Sequence, residues 1–327
     1  MTPRGNERFT LKQLREVSSM LFRFALAAPL VFTLSFLAYA AEAPVKKSAA
    51  KPVANRAANT PKKKDYCDQL ADGVRPDAVV IYKTVGDRKL EMHVLKPKSW
   101  QASDKRACYL TIHGGGWTGG SPSRMYPFAK HYADRGMVAM SLQYRLVQKD
   151  SGTSPFDCVR DGKSAVRYLK THAAELGIDP TKIIVSGSSA GGHVALATAM
   201  FAGVEDPHDD LSVSPTPAAL IPFWPVIDCS PAGYGNAKCG PDWKQISPAH
   251  QVTKGVPPTL LFHGTGDRTT PFGGAELFKH AMDEAGNRCD LVVEDGGEHG
   301  WFMRTKDEYD EAMARSDAFL RELKLLE

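Results

Sequence analysis

The sequence predicts an α/β fold with a mostly parallel central sheet, helices on its faces and an antiparallel hairpin at its N-terminal edge. First, short apolar runs bounded by turn residues alternate with segments of helical periodicity, which is typical of parallel sheets with helical connections. Second, two strand-like runs, AVVIYKTV (78–85) and LEMHVLK (90–96), flank the short turn GDRK. Third, neither a repeat nor a shift of composition interrupts residues 65–327, so we expect one domain there.

Further strands are predicted wherever a short apolar run ends in glycine or polar residues. These runs are CYLTIH (108–113), MVAMSLQYR (137–145), KIIVSG (182–187), the proline-interrupted AALIPFWPVID (218–228), PTLLFHG (258–264) and CDLVVED (289–295). Helices are predicted at 126–135, 157–176, 191–201, 275–286 and 308–326. Within 157–176, Val159, Val166 and Leu169 recur at helical spacing, and Gly177 is suited to end the helix.

The N-terminal part of the chain has the features of an export signal. Residues 24–40 are apolar, Arg23 precedes them, and AYA (38–40) has the small-residue pattern of a signal-peptidase site. We therefore predict a signal peptide over residues 1–40, with Met20 as an alternative start, and a periplasmic or secreted protein. The alternative is an uncleaved membrane anchor, for which this proline-interrupted run is short.

The basic excess of the chain is confined to its N-terminal part. The formal net charge is +4, but residues 1–64 hold 12 Lys and Arg against 3 Asp and Glu, which leaves 29 against 34 in the rest. A mildly acidic domain lacks the basic footprint of a nucleic-acid-binding protein, so we expect no nucleic-acid partner. Residues 41–64, rich in Ala, Pro and Lys, are predicted to be a disordered linker.

The composition also gives no indication of a metal or a cofactor, and we expect neither. The six cysteines show no CxxC spacing, and the glycine-rich segments lack the lysine of a P-loop. Cys229 and Cys239 bound a turn-rich segment and are a candidate disulfide in an exported protein. The acidic cluster DPHDD (206–210) has no ligand spacing and is expected to be a solvated loop.

The segment IVSGSSAGGHV (184–194) places one serine in the pattern G-x-S-x-G. A nucleophile in this pattern lies on a strand-to-helix turn so tight that side chains two residues before or after it would collide with backbone. Only Ser189 has glycine at both positions, Gly187 and Gly191, so it is the candidate nucleophile. Small residues at a strand–helix junction also bind phosphate or merely turn the chain, which is the alternative for this segment.

A serine nucleophile needs a histidine base and an acid that orients the histidine. For a serine on this kind of turn, the acid and then the histidine follow in the chain. His299 lies in the glycine-rich segment DGGEHGW after a predicted strand, which is where the base is expected. Asp267 follows the preceding strand and is the candidate acid, with Asp228 as the reserve candidate.

Acyl transfer also needs N–H donors for the oxyanion of its tetrahedral intermediate. The segment HGGGW (113–117) follows a predicted strand and supplies consecutive N–H groups on residues without side chains. We predict Gly115, Gly116 and Ala190 as the donors and a structural role for His113.

These motifs and their order along the chain resemble the α/β-hydrolases of the esterase–lipase group, in particular bacterial feruloyl- and acetyl-xylan-esterase-like members. The resemblance runs from Val79 to the C-terminus and includes HGGGWTGGS, GSSAGGH, HGTGDRTTPF and EHGWF. It implies an α/β-hydrolase fold in which Ser189, Asp267 and His299 form the triad. Relatives of the hormone-sensitive-lipase type build a helical cap from a longer N-terminal segment, so we expect little or no cap here and an open site.

The combined features predict a serine carboxylester hydrolase that cleaves short-chain acyl esters, with acetylated polysaccharides as a candidate substrate. Two alternatives stay open: an amidase or peptidase with the same triad, and a carbohydrate-binding or scaffold protein with a dormant site. Trp117, Trp224 and Trp301 follow strand ends near the predicted site. They either line it as surfaces for sugar rings or acyl groups, or pack beneath its loops. The sequence leaves the natural ester and the oligomeric state open.

Overall fold

The computed structural model describes residues 64–327. The predicted signal peptide and all of the predicted linker except Lys64 lie outside these residues. In the part of the chain that is described, no helix is both long and apolar enough to cross a membrane.

The described residues form one sheet of eight strands. In chain order the strands are β1 (Ala78–Val85), β2 (Arg88–Leu95), β3 (Arg106–Ile112), β4 (Val138–Leu142), β5 (Ile178–Ser188), β6 (Ala219–Phe223), β7 (Thr259–Gly264) and β8 (Cys289–Glu294). Their order in space is β1-β2-β4-β3-β5-β6-β7-β8. β2 pairs antiparallel with both β1 and β4, whereas the other pairings are parallel. The predicted parallel sheet with an antiparallel N-terminal edge is therefore confirmed.

Helices cover both faces of the sheet. In chain order they are α1 (Tyr66–Asp72), α2 (Tyr126–Ala133), α3 (Pro155–Thr171), α4 (Ala173–Leu176), α5 (Ala190–Ala197), α6 (Asn236–Cys239), α7 (Phe272–Glu284) and α8 (Lys306–Glu322). Side chains of α1, α2 and α8 contribute to one buried core, and those of α3, α5 and α7 to the other. Strand β5 contributes side chains to both cores. Ile183 and Val185 lie in one core and Ile184 lies in the other, because successive side chains of a strand point to opposite faces of the sheet.

Helix boundaries differ from the predicted ones where local hydrogen bonds end a helix early. The predicted helix 157–176 is divided at His172 into α3 and α4, and Gly177 then ends α4 in the left-handed conformation. The predicted helix 191–201 ends at Ala197, where the Thr198 hydroxyl donates to the Ala195 carbonyl at 2.7 Å. Helix α1 escapes prediction because its 7 residues are too few to show a helical period.

The acidic cluster at 206–210 is only partly the solvated loop that the sequence suggests, because Pro207, His208 and Asp210 are exposed whereas Asp206 is buried. Asp206 is 6% exposed, and its carboxylate lies 2.6 Å from the Lys83 ammonium group. The same ammonium lies 2.9 Å from Asp161, which also binds Arg145 at 2.8 Å. Burial by itself raises the pKa of Asp206, but hydrogen bonds, the strongest from Lys83, lower it to about 2. The segment after α5 is therefore tied to β1 and α3 by buried ion pairs.

Candidate active site

Ser189 lies on the turn between β5 and α5, as its motif predicts. Its backbone adopts φ 54° and ψ −122°, a conformation that residues other than glycine rarely take. A side chain on Gly187 would overlap with the backbone of Gly191, and a side chain on Gly191 would overlap with the Ile112 carbonyl of β3. Both glycines are therefore required by the close approach of strand, turn and helix, which holds Ser189 at the carboxyl end of β5.

His299 and Asp267 meet Ser189 at this end of the sheet. The Ser189 hydroxyl oxygen lies 3.0 Å from His299 Nε2, and His299 Nδ1 lies 2.7 Å from Asp267 Oδ2. Asp267 follows β7 and His299 follows β8, which are neighbouring strands. The structure thus brings the three predicted residues into one hydrogen-bonded chain, in which Nδ1–H donates to the carboxylate and Nε2 accepts from the serine.

The Asp267 carboxylate is buried and accepts hydrogen bonds on both oxygens. Oδ1 accepts the N–H groups of Thr269 and Thr270 at 2.8 and 2.9 Å, and Oδ2 accepts the Thr270 hydroxyl at 2.9 Å. Burial by itself raises the pKa of Asp267, but the hydrogen bonds from His299 and Thr270 outweigh burial and lower it. The carboxylate is therefore ionised at neutral pH and fixes the orientation of the His299 ring.

His263 supports the loop that carries the acid, although no sequence pattern indicates it. Its Nε2–H donates to the Thr270 carbonyl at 2.7 Å, and the same nitrogen lies 3.7 Å from Asp267 Oδ2. Burial lowers the pKa of His263, so its imidazole is neutral at neutral pH. Because the His263 ring is neutral, it does not compete with His299 for the negative charge of Asp267.

The reserve candidate for the acid, Asp228, does not reach the histidine. Its carboxylate accepts the N–H of Ser230 at 2.7 Å and the Ser230 hydroxyl at 2.8 Å, and it lies 3.9 Å from His250 Nδ1. Asp228 thus closes a turn at the start of residues 228–240, here called the 228–240 loop. The structure therefore brings Asp267, and not Asp228, to His299.

The N–H groups of the three predicted oxyanion donors have no hydrogen-bond acceptor within residues 64–327. Gly115 and Gly116 line the same cleft as Ser189, and Ala190 follows Ser189 as the first residue of α5. Gly114 also lies against the nucleophile, because a Cβ on it would be 3.1 Å from the Ser189 Cβ. The cleft therefore presents unoccupied donors beside the serine, the arrangement that an oxyanion requires.

His113 holds the start of the glycine segment, in keeping with its predicted structural role. Its Nδ1–H donates to the Gly114 carbonyl at 2.8 Å, and its own carbonyl accepts the Tyr144 hydroxyl at 3.0 Å. Burial lowers the pKa of His113 to about 4, so the ring is neutral at neutral pH.

Of the three tryptophans considered for substrate binding, Trp224 borders the cleft. Its ring centroid lies 6.1 Å from that of His299. Trp117 is fully buried against His193, and Trp301 packs against Trp224. Of the two roles considered for these tryptophans, Trp117 and Trp301 therefore take the second and pack in the protein interior, whereas Trp224 forms part of the cleft wall.

The cleft has a volume of about 440 Å³ and includes residues that the sequence does not reveal. Tyr234, Arg124 and Met303 line it together with the predicted residues. No cap covers it within residues 64–327. The start of α1 forms part of its rim, where the Tyr66 N–H donates to the Arg304 carbonyl at 3.1 Å.

The candidate disulfide between Cys229 and Cys239 is not formed, because both residues are free, buried thiols. The Cys229 thiol instead donates to the Ile246 carbonyl oxygen at 3.5 Å. The neighbouring Cys239 side chain, together with burial, raises the pKa of the Cys229 thiol well above its usual value. The two ends of the loop thus lie close together without a covalent bridge.

Two protein-family models match the chain. The BD-FAE model matches residues 92–230, and the model of the prolyl oligopeptidase family matches residues 227–324. The first range contains Ser189, and the second contains Asp267 and His299.

Curated relatives match parts of the chain. An AB hydrolase superfamily protein of Schizosaccharomyces pombe is 42% identical over 27% of this chain and 25% of that protein. The carboxylesterase NlhH of Mycobacterium tuberculosis is 36% identical over 30% of this chain and 30% of that protein. The chain spans half or less of the length of the curated relatives that it matches.

A solved structure matches far more of the chain. Esterase 2 of Thermogutta terrifontis, in its apo form, is 40% identical with a TM-score of 0.72, over 76% of this chain and 96% of that chain. The same esterase has also been solved with propionate and with butyrate bound, each 40% identical with a TM-score of 0.70. Because this esterase shares both the fold and two fifths of the aligned sequence along nearly its whole length, the chain belongs to the esterase–lipase group of the α/β-hydrolases.

Proposed function

We propose that this protein is an exported serine carboxylester hydrolase that cleaves short-chain acyl esters through a covalent acyl-enzyme. The observation that carries the proposal is the hydrogen-bonded chain of Ser189, His299 and Asp267 in one cleft with unoccupied N–H donors. Nucleophile, base, orienting acid and oxyanion donors are the parts that acyl transfer from an ester requires.

Acylation begins when His299 Nε2 takes the Ser189 proton while Oγ attacks the carbonyl carbon of the ester. The carbonyl oxygen becomes an oxyanion and accepts hydrogen bonds from the three free N–H groups. The bond to the alcohol oxygen then breaks, and His299 gives its proton to the departing alkoxide. Asp267 stays ionised and stabilises the intermediate imidazolium.

Deacylation repeats these steps with water in place of the alcohol. His299 Nε2 takes a proton from the water as its oxygen attacks the acyl carbon, and a second oxyanion forms at the same donors. The bond to Ser189 Oγ then breaks, His299 returns the proton to the serine, and the carboxylic acid leaves.

The size of the cleft and the solved relatives support a short acyl group. The cleft has a volume of about 440 Å³, and Trp224 forms part of its wall. The related esterase binds propionate and butyrate, which are the acid products of short-chain esters. The described residues place no cap over the cleft, which leaves room for a bulky alcohol part, so acetylated polysaccharides are the natural substrates that we propose.

The reaction class is tested with 4-nitrophenyl acetate, butyrate, octanoate and laurate, measured beside a peptide anilide. We expect the highest kcat/KM for acetate or butyrate, and release of acetate from acetylated xylan. Ser189→Ala should lose about 10³-fold or more of kcat while its circular dichroism spectrum stays unchanged. A wild-type protein without ester turnover would reject the proposal, and a Ser189→Ala variant with more than a few per cent of the activity would reassign the nucleophile.

Amide hydrolysis is the second candidate, because the acid and the base lie in the range that matches the prolyl oligopeptidase family. A higher kcat/KM for the peptide anilide than for any of the esters would favour it.

Export rests on the apolar residues 24–40 and the AYA segment that ends them. N-terminal sequencing of the protein from its own host should find Ala41 as the first residue. A membrane-bound product that retains residues 24–40 would indicate an anchor, and a soluble cytoplasmic product would reject export.

A further inference from the structure

Tyr234 lies beside the predicted oxyanion donors, although it belongs to none of the motifs. It is half-buried, comes from the 228–240 loop and lines the same cleft as Ser189. A side chain on Gly116 would overlap with the Tyr234 hydroxyl oxygen, so this oxygen lies directly against the Gly116 backbone. Because Gly116 supplies one of the free N–H groups, the tyrosine hydroxyl and the donor set adjoin the same part of the cleft.

The hydrogen bonds around Tyr234 leave its proton available. Lys238 Nζ lies 3.4 Å from the Tyr234 oxygen and 3.1 Å from the Gly116 carbonyl oxygen. An ammonium group can only donate, so the tyrosine oxygen accepts from Lys238. The Tyr234 O–H itself has no acceptor within residues 64–327 and is free to donate to a bound molecule. The positively charged ammonium group of Lys238, which donates to the Tyr234 oxygen, makes this O–H a stronger donor.

The loop holds the tyrosine in place before any substrate binds. The Tyr234 N–H donates to the Asp228 carbonyl at 2.8 Å, and the Tyr234 ring packs on Trp117 with 5.7 Å between centroids. Lys238 lies above the same ring, with Nζ 5.3 Å from its centroid. A donor fixed in this way needs no reorganisation during the reaction, which is the property that makes oxyanion donors effective.

We propose that Tyr234 is a further catalytic residue, whose hydroxyl donates a hydrogen bond to the carbonyl oxygen of the ester as that oxygen becomes the oxyanion. Lys238 is a positioning residue that orients and polarises this hydroxyl. Tyr234 keeps its proton throughout, and the hydrogen bond strengthens as negative charge develops on the oxygen. This inference rests on the proposed ester hydrolysis at Ser189.

The test replaces Tyr234 with phenylalanine, which keeps the ring packing and removes only the hydroxyl. We expect kcat for 4-nitrophenyl butyrate to fall about 10-fold to 100-fold, with little change in KM. This expected fall in kcat is at or below the fall usually caused by removing one oxyanion donor, because the three backbone donors remain in the variant. Tyr168→Phe is the matched control, since Tyr168 lies on α3, stacked on His172 and outside the cleft. The control should keep wild-type kcat.

Two inhibitors separate a catalytic role from a structural one. A trifluoromethyl ketone forms a hemiketal oxyanion with the serine, whereas butyramide binds as a neutral carbonyl compound. In Tyr234→Phe the Ki of the ketone should rise by the factor by which kcat/KM falls, and the Ki of butyramide should stay near the wild-type value. Equal rises of both Ki values would indicate a distorted cleft and overturn the proposal, as would a kcat within about twofold of wild type.

Lys238 is tested by Lys238→Met and Lys238→Arg. Lys238→Met removes the ammonium group and should lower kcat, though by less than Tyr234→Phe does. Lys238→Arg keeps a cationic donor, so its kcat should be close to that of the wild type. Wild-type kcat in Lys238→Met would overturn the positioning role. If the wild type hydrolyses esters and Ser189→Ala does not, a fully active Tyr234→Phe overturns this inference alone and leaves the proposed function intact.

Discussion

Replacing Asp267 with asparagine should inactivate the enzyme by fixing the wrong tautomer of His299. Oδ1 of Asp267 accepts two backbone N–H groups, from Thr269 and Thr270, so the amide oxygen of Asp267→Asn must take this place. The amide nitrogen then occupies the position of Oδ2, 2.7 Å from His299 Nδ1, and donates to it. Nδ1 therefore loses its proton to Nε2, and Nε2 can no longer accept the proton of Ser189.

The expected loss of kcat is large, because His299 can no longer act as the base and the carboxylate that stabilises its imidazolium form is removed as well. The same change in a serine protease triad lowers kcat about 10⁴-fold, which corresponds to about 5.5 kcal/mol of transition-state stabilisation. The fold should persist, since the two backbone hydrogen bonds to Oδ1 are kept. The Thr270 hydroxyl, 2.9 Å from Oδ2, needs only to rotate from donor to acceptor.

The assay is kcat for 4-nitrophenyl acetate at neutral pH, with circular dichroism as the check of folding. Asp228→Asn is the matched control, because it makes the same chemical change on an acid whose partner is Ser230 instead of the histidine. We expect the control to keep near-wild-type kcat. A loss of less than about tenfold in Asp267→Asn, or a greater loss in Asp228→Asn, would refute the reasoning.

Three further measurements address other parts of the structure. The pKa of Asp206 falls from its ordinary 3.8 to about 2 in the folded protein. The contacts that lower this pKa, those with Lys83 first and those with His208 second, should therefore add together about 2 kcal/mol to the free energy of unfolding above pH 4, and this contribution is lost as the pH falls to 2. Urea unfolding should thus separate wild type from Asp206→Asn at pH 6 but not at pH 2, and a pH-independent difference would contradict the assignment. Gly191→Ala should give no folded, active enzyme, because its Cβ would overlap with a carbonyl of β3; a native spectrum with normal kcat would disprove this. The intact mass of the protein should fit free thiols at Cys229 and Cys239, and a mass lower by two hydrogens would contradict this.

The parts of the site that depend on local constraints could be predicted from the sequence. Ser189 is indicated because its turn excludes side chains at Gly187 and Gly191, and this exclusion is visible as glycine. Asp267 and His299 follow β7 and β8, which are consecutive in the chain and adjacent in the sheet. Consecutive strands of a parallel sheet are usually neighbours, so the closeness of the acid and the base follows from chain order alone.

Contacts between segments that are far apart in the chain leave no pattern in the sequence from which they could be predicted. Lys83 and Asp206 look like surface charges in the sequence, and only the fold shows that they are buried together. Trp117 and Trp224 both follow strand ends and both have positive φ, yet Trp224 borders the cleft and Trp117 packs against His193. The space available to each ring decides between lining and packing, and that space is formed by residues from other parts of the chain.

Gly116 is both part of a motif that the sequence reveals and part of a contact between distant segments that it does not reveal. Its glycine is visible in the segment HGGGW and predicts an N–H donor, but the donor needs only a backbone N–H group, which any residue except proline has. The reasons for glycine are its φ of 58° and the Tyr234 hydroxyl, which fills the place of a side chain. The same position therefore meets two requirements, a donor for the oxyanion and room for the tyrosine. A motif reveals the first, whereas the second becomes apparent only when the fold brings the 228–240 loop against the glycines.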